Sequence, residues 1–132
     1  MDLDLPAGCG NAPRVGIVAD VVAAWASNDG ASLGAALDPE ATWSVAGCDA
    51  AARAGLATVL SEIIPAAAAP GEAVQLDFSD IMTHGRLASC LGTLTLSSGV
   101  ALEFSHHVRF RSAGKTAPVV SVRTFLHPVG AR

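Results

Sequence analysis

The chain has 132 residues, of which 51% are hydrophobic and 15% charged, and its net charge is −4. This length and composition are typical of one folded domain that buries its own core, and they exclude a disordered chain. The acidic balance argues against binding to nucleic acid or to an anionic membrane through bulk charge. No apolar run reaches the ~18 residues of a membrane-spanning helix. The absence of tyrosine excludes chemistry that needs a phenol.

The start of the chain and its cysteines indicate the compartment. Residues 1–5 are acidic and lack the basic region of a signal peptide, which predicts a cytoplasmic location. Cys9, Cys48 and Cys90 are far apart and form no CxxC pair. That spacing indicates free thiols rather than a disulfide framework or a zinc site, so we expect neither a metal nor a cofactor.

The N-terminal segment differs from the domain that follows. Residues 1–11 contain two glycines and a proline and are expected to form a flexible arm, whereas residues 12–128 are expected to form a single domain. Apolar residues then recur at helical spacing, which predicts a first helix ending near Asn28-Asp29-Gly30. The residues of this stripe are Val15, Ile17, Val18, Val21, Val22 and Trp25.

Two further helices and a short strand are predicted before residue 72. A short helix over Ser32–Leu37 should end at Asp38, because the residue before a proline avoids the α region. Residues 41–45 are predicted to form a strand. The clearest helical pattern follows it, formed by Leu56, Val59, Leu60, Ile63 and Ile64.

Beyond residue 72 apolar and polar residues alternate, which is typical of half-buried strands. Strands are predicted over residues 74–80, 87–96, 100–111 and 119–126. The turns between them are predicted at His84-Gly85, Ser98-Gly99 and Ala113-Gly114. Helices followed by a meander of strands predict an α+β domain.

Five short stretches, taken in their order and spacing, carry a family resemblance over residues 14–127. They are Ala41-Thr42-Trp43, Arg53-Ala54-Gly55, residues 106–110, Ala113-Gly114-Lys115 and Ser121-Val122-Arg123. The chain resembles the SnoaL-like and ketosteroid isomerase-like branch of the nuclear transport factor 2-like superfamily. The resemblance implies a cystatin-like α+β barrel, in which a cone-like curved mixed sheet wraps around N-terminal helices. It also implies a pocket for a small hydrophobic ligand and a homodimer formed through the sheet face.

The resemblance allows the family's catalytic positions to be checked one by one. The two positions that hold a proton-shuttling Asp and an oxyanion-binding Tyr in steroid isomerases correspond to Val45 and Val21, and the second oxyanion donor corresponds to His106. Valine can neither accept a proton nor donate to an oxyanion, so steroid isomerisation by that mechanism is excluded. The acid of limonene epoxide hydrolases corresponds to Thr124, which leaves that chemistry unsupported as well.

His106 and Asp80 are the candidate catalytic residues. Alternation places His106 on the apolar face that should line the pocket, where an imidazole could act as a base or as a hydrogen-bond donor. The alternative is a core histidine satisfied by a backbone carbonyl. Asp80 shares the parity of Phe78 and could form an acid/base pair with His106. A bulge would instead turn Asp80 outward.

The remaining candidate residues form two groups. The wall of the ligand pocket is expected to consist of Trp25, Trp43, Val45, Phe78, Phe104, Val108, Thr124 and Leu126. The opposite face carries His107, Arg109, Arg111 and Arg123, which form either an anion site or a solvated or dimer-facing surface.

Together these patterns predict a SnoaL-like pocket protein that binds a small hydrophobic molecule. It would be an enzyme of isomerase, cyclase or hydrolase type, or a pure binder. The alternative is a non-catalytic dimeric ligand-binding or interaction module. An open cavity of at least ~300 Å³ would favour a ligand.

Overall fold

The computed structural model describes residues 1–5, 13–46, 51–52 and 69–129. The described part of the chain has two helices, α1 (Pro13–Ser27) and α2 (Gly30–Ala36), and seven strands: β1 (Asp2–Asp4), β2 (Leu37–Ala46), β3 (Ala51–Ala52), β4 (Ala73–His84), β5 (Leu87–Leu96), β6 (Ala101–Phe110) and β7 (Val119–Val129). The helix predicted over residues 56–64 lies outside the described residues.

The strands form one mixed sheet in the order β1-β4-β5-β6-β7-β2-β3. Strands β4 to β7 are an antiparallel meander, while β1 joins β4 and β2 joins β7 in parallel. The predicted α+β class is confirmed. In the described residues the sheet is open rather than a closed barrel, since its first and last strands, β1 and β3, each pair with one neighbour.

The first helix is held by its apolar stripe and by the turn that follows it. Val18, Val22 and Trp25 are fully buried against the sheet, as their helical spacing predicts. Asn28 ends the helix because it adopts a positive φ of 58°. Asp29 then caps α2, where its carboxylate accepts hydrogen bonds from the backbone N–H and the hydroxyl of Ser32.

Strand β2 begins at Leu37, four residues before the predicted strand. Pro39 lies inside it, at a register shift between Leu37 and Thr42 where the strand leaves its regular pairing with β7. A proline is tolerated at such an irregularity because no ladder hydrogen bond is lost there. Asp38 also forms an ion pair with Arg111, which connects this segment to the end of β6.

Strand β4 contains a bulge that changes which face its side chains occupy. The register with β5 shifts between Phe78 and Asp80, so Ser79 is an extra residue. Gly92 lies opposite Phe78, and a Cβ there would lie 2.2 Å from the Asp77 carbonyl oxygen and 2.6 Å from Cζ of Phe104. The absence of a side chain at Gly92 therefore allows β4 and the Phe104 ring to approach closely.

The core lies between the helices and the inner face of the meander. Trp25, Leu76, Leu94 and Phe104 are fully buried there. At one end Arg14 is also buried, with its guanidinium 4.1 Å from the Phe110 ring centroid.

Part of the predicted arm is ordered. Residues 2–4, which fall within the arm expected over residues 1–11, form β1 and pair with residues 75–77 of β4. Their backbone groups are satisfied by the exposed edge of β4, which a sequence pattern alone does not reveal. None of the helices in the described ranges is both long and apolar enough to cross a membrane.

Candidate ligand site on the inner sheet face

Three polar side chains from three neighbouring strands meet inside the core. His106 on β6 lies directly opposite Thr124 on β7. Trp43 lies on β2, two residues before Val45, which is the residue paired with Thr124. All three side chains are at most 1% exposed. Period-two alternation brings them to one face, since each belongs to the inward-facing set of its strand.

A continuous hydrogen-bonded chain connects these side chains. Trp43 Nε1–H donates to Thr124 Oγ1 over 2.8 Å, and Thr124 Oγ1 lies 2.7 Å from His106 Nδ1. The other ring nitrogen, His106 Nε2, is buried and has no hydrogen-bond partner among the described residues. Buried polar atoms are nearly always paired, so this nitrogen marks a position where a partner would be favourable.

The number of protons in the chain indicates the tautomer of His106. Thr124 has a single hydroxyl proton, and Oγ1 already accepts from Trp43. If that proton is donated to His106 Nδ1, every group of the chain is satisfied except Nε2, which then carries the ring proton. The opposite tautomer would leave both the Thr124 proton and the Nε2 lone pair without partners. We therefore assign the ring proton to Nε2, which is a buried donor without a partner among the described residues.

Burial, together with the smaller effect of the neighbouring charge of His107, lowers the pKa of His106 to about 3. The imidazole is thus neutral at physiological pH. Its ring packs edge-on against Trp25, with centroids 4.3 Å apart, and lies 5.1 Å from the Phe104 ring. Cys90, opposite His106 on β5, has its pKa raised to about 12 by burial, so its thiol is not a nucleophile.

The structure brings most of the predicted wall residues together. Trp25, Trp43, Val45, Phe78, Phe104, Val108 and Thr124 are all buried. Leu126 is half-buried and packs against the same core from β7, opposite Phe104. The wall therefore surrounds His106 with aromatic and aliphatic side chains.

Asp80 is the exception among the predicted site residues. It is exposed and pairs with Leu91, which points to the outer face of the sheet. The prediction that Asp80 faces the pocket is wrong because the bulge at Ser79 reverses the alternation of β4. In the described part of the chain the only buried polar or charged side chains are Arg14, His106 and Thr124, so no carboxylate lies within this inner layer to act as a base.

A cavity lies on the other face of the sheet. It has a volume of about 610 Å³ and lies over β2, β4, β5, β6 and β7, where its lining includes the outward-facing side chains of His107, Arg109 and Arg123. In the part of the chain that the structure describes, the inner site is a packed wall in which His106 Nε2 has no partner, and the cavity is a separate feature of the outer face.

Two features of the inner face were missed by sequence reasoning. No local sequence pattern indicates the hydrogen bonds that join Trp43, Thr124 and His106, because these bonds depend on the register of three strands. Arg14 was also missed: it donates to the backbone carbonyls of Ser112 and Gly114 across the β6–β7 turn. A single arginine in the first turn of an amphipathic helix carries no sign of that role.

Comparison with known proteins identifies the fold. No protein-family model matches the chain, and no curated protein matches it. Several solved structures are similar. An NTF2-like protein of unknown function from Burkholderia xenovorans is 14% identical with a TM-score of 0.65, covering 86% of this chain and 82% of its own.

Two other structures extend the comparison. A protein from Shewanella denitrificans described as a SnoaL-like polyketide cyclase is 13% identical with a TM-score of 0.63, covering 85% of this chain and 88% of its own. A protein with a ketosteroid isomerase-like fold from Catenulispora acidiphila, in complex with trimethylamine, is 16% identical with a TM-score of 0.59, covering 82% of each chain. The chain therefore has the NTF2-like α+β fold shared by SnoaL-like and ketosteroid isomerase-like proteins.

Proposed function

We propose that this protein binds a small, mainly apolar molecule that carries a hydrogen-bond acceptor such as a carbonyl oxygen, and that His106 Nε2–H donates to that acceptor. The observation that carries this proposal is the buried Nε2 at the end of the Trp43–Thr124–His106 chain, which has no partner in the described ranges of the chain. A ligand oxygen at this position would satisfy the last unpaired group of the chain.

The surroundings of His106 select the chemistry of the ligand. The nearest rings are those of Trp25 and Phe104, and the described inner layer contains no buried carboxylate. A charged ligand group would lose its hydration there without a counter-charge, which is costly. A neutral ketone, ester or lactone places an acceptor next to Nε2 and leaves its apolar body against the rings.

A catalytic version of this function would use His106 as an electrophilic donor. A neutral imidazole N–H can stabilise negative charge that develops on a carbonyl oxygen during isomerisation, cyclisation or hydrolysis. The proton abstraction of such a reaction needs a separate base, and Asp80 lies on the other face. The described residues thus support ligand binding and carbonyl polarisation more strongly than an acid/base pair.

The proposal is tested with two ligands of the same shape. 1-Tetralone and tetralin share a fused ring system, and only the former has a carbonyl group. Binding is followed by the fluorescence of the two tryptophans, Trp25 and Trp43, whose rings are 4.3 and 6.1 Å from the His106 ring. We expect 1-tetralone to bind wild type about tenfold more tightly than tetralin, and His106→Phe to remove the difference. Equal binding of the two compounds to wild type would refute the proposal.

A second candidate, a homodimer that serves as a binding or interaction module, is favoured by the outer sheet face. Leu91 and Phe125 both point outward there and are 39% and 43% exposed. Each is paired to Ser105 of the intervening strand β6, so the two side chains flank one small residue. An apolar row of this kind is a suitable contact surface for a second copy of the chain.

A further inference from the structure

The outer sheet face contains a groove that the inner site does not explain. It has a volume of about 610 Å³ and is formed by two rows of outward-facing side chains that cross five strands. A cavity of this size is in the range that accommodates a small organic molecule. The groove lies on the opposite side of the sheet from His106, and the two sites share no outward-facing side chain.

The strand register defines both rows. The first row runs through Met82, Ser89, His107, Arg123 and Ser44, each directly paired to the next. The second row, two residues along each strand, runs through His84, Leu87, Arg109, Ser121 and Thr42. Met82 and His84 reach this face only because the bulge at Ser79 reverses the alternation of β4.

The groove combines cationic groups with apolar and hydroxyl groups. Its lining includes two arginines, Arg109 and Arg123, and two histidines, but no aspartate or glutamate. Within the described residues the ion pair joins Arg111 to Asp38, and neither groove arginine has a carboxylate partner. This collection of positive charge occurs in a chain whose net charge is −4.

The arrangement of the two arginines favours a shared anion. Arg109 lies opposite Ser121, and Arg123 follows two residues later, so the arginines are diagonal neighbours about 7–8 Å apart at their Cα atoms. Two uncompensated positive charges this close repel each other, and an anion between them would offset that repulsion. Arg123 is positioned by the Phe125 ring, whose centroid is 5.4 Å from its guanidinium carbon.

We propose that this groove binds an amphipathic organic anion, namely a carboxylate on an apolar chain or ring. The guanidinium groups of Arg109 and Arg123 would bind the carboxylate, since arginine matches its planar geometry with paired N–H donors. Leu87 and Met82, which are 46% and 67% exposed, would contact the apolar part at the β4–β5 end of the groove. The hydroxyls of Ser44, Ser89 and Ser121 would donate or accept hydrogen bonds around the carboxylate.

The test compares octanoate with 1-octanol, which has the same chain length and no charge, by isothermal titration calorimetry at low ionic strength. Octanoate is expected to bind the wild-type protein at least tenfold more tightly than 1-octanol. Arg123→Gln and Arg109→Gln should each weaken octanoate binding by tenfold or more while leaving 1-octanol binding unchanged. Lys115→Gln is the matched control, because Lys115 is an exposed cation outside the groove, in the β6–β7 connection.

Three results would overturn the proposal. The first is an absence of octanoate binding, as expected if a second copy of the chain covers the groove. The second is equal binding of octanoate and 1-octanol. The third is a loss of octanoate affinity in Lys115→Gln as large as the loss in the two groove variants. His106→Phe should bind octanoate like wild type, so failure of the inner-site proposal and failure of this one are separable.

Discussion

Thr124 Oγ1 lies between two ring nitrogens from neighbouring strands, 2.7 Å from His106 Nδ1 and 2.8 Å from Trp43 Nε1. Because Trp43 can only donate, the Thr124 hydroxyl proton is left for His106 Nδ1. One threonine therefore determines that the free nitrogen of His106 is a donor rather than an acceptor, and the ligand chemistry that we propose depends on this contact.

Replacing Thr124 by valine removes the hydroxyl and preserves the shape of the side chain. The Trp43 N–H and His106 Nδ1 would then be buried without a partner, and each such group costs about 1–3 kcal/mol. We expect Thr124→Val to lower the free energy of unfolding by about 2–4 kcal/mol in urea denaturation.

The matched control for that variant is Thr93→Val. Thr93 is a half-buried strand residue on β5, opposite Glu103, and it has no part in the buried chain. Its substitution should change stability by less than about 0.5 kcal/mol. Equal losses in the two valine variants would mean that the Trp43–Thr124–His106 chain contributes nothing specific.

His106 should make stability depend on pH. Its pKa is lowered from 6.5 to about 3 in the folded state, so the unfolded chain takes up a proton at a higher pH than the folded chain does. The contribution of the neutral imidazole is therefore fully present above pH 6.5 and is lost as the pH falls towards 3. The slope approaches about 1.4 kcal/mol per pH unit, and the total is on the order of 4–5 kcal/mol.

This pH dependence is measured as the difference between wild type and His106→Phe, because carboxylates common to both titrate in the same range and cancel. Relative to His106→Phe, the wild-type protein should lose free energy of unfolding steadily as the pH is lowered from 6.5 to about 4. His127→Gln, at an exposed position on the neighbouring strand β7, should keep the wild-type slope in this interval. A difference between wild type and His106→Phe that stays constant with pH would show that the imidazole is not kept neutral.

Gly92 permits the close contact between β4, β5 and the Phe104 ring. An alanine Cβ would lie 2.2 Å from the Asp77 carbonyl oxygen, and backbone cannot move aside as a flexible side chain can. We expect Gly92→Ala to destabilise the fold by about 1–3 kcal/mol in thermal or urea denaturation. Gly16→Ala, on an exposed face of α1 with no atom within 4 Å of the new Cβ, should instead be neutral or stabilise by up to about 1 kcal/mol. Equal effects of the two alanines would argue against the described packing at Gly92.

The outer face should mediate self-association if the protein is a dimer. Phe125→Ser replaces an exposed aromatic of the Leu91–Phe125 row and should shift the protein towards monomer in sedimentation velocity experiments at micromolar concentration. Val74→Ser, at a position with similar exposure on β4 near the sheet edge, is the control. A wild-type protein that is monomeric under these conditions would rule out the dimer.

The face of the sheet that each residue occupies could be predicted where a strand is regular. Strand β6 alternates without interruption from Leu102 to Phe110, so the inward position of His106 followed from parity alone. The same logic failed for Asp80 because one extra residue in β4 reverses the alternation. That bulge is defined by pairing with Gly92 and Leu91 on another strand, and no local pattern reports it.

The hydrogen bonds of the site were less accessible to prediction than its location. Trp43 and Thr124 were both expected in the pocket wall, but their contact depends on the parallel register between β2 and β7. Parallel pairing is set by long-range packing rather than by a turn of defined length. No local sequence pattern therefore indicates a contact between residues that are 81 positions apart. The outer groove was difficult to predict for the same reason, since it requires the register of five strands.

The most direct test of the central claim is the state of the His106 ring nitrogens, observed by long-range ¹H–¹⁵N NMR before and after addition of 1-tetralone. In the free protein Nε2 should carry the proton, and 1-tetralone should shift that Nε2–H signal downfield, while tetralin should not. The exposed histidines, such as His107, should be unaffected. A proton found on Nδ1 in the free protein, or an Nε2 signal that 1-tetralone leaves unchanged, would contradict the role assigned to His106.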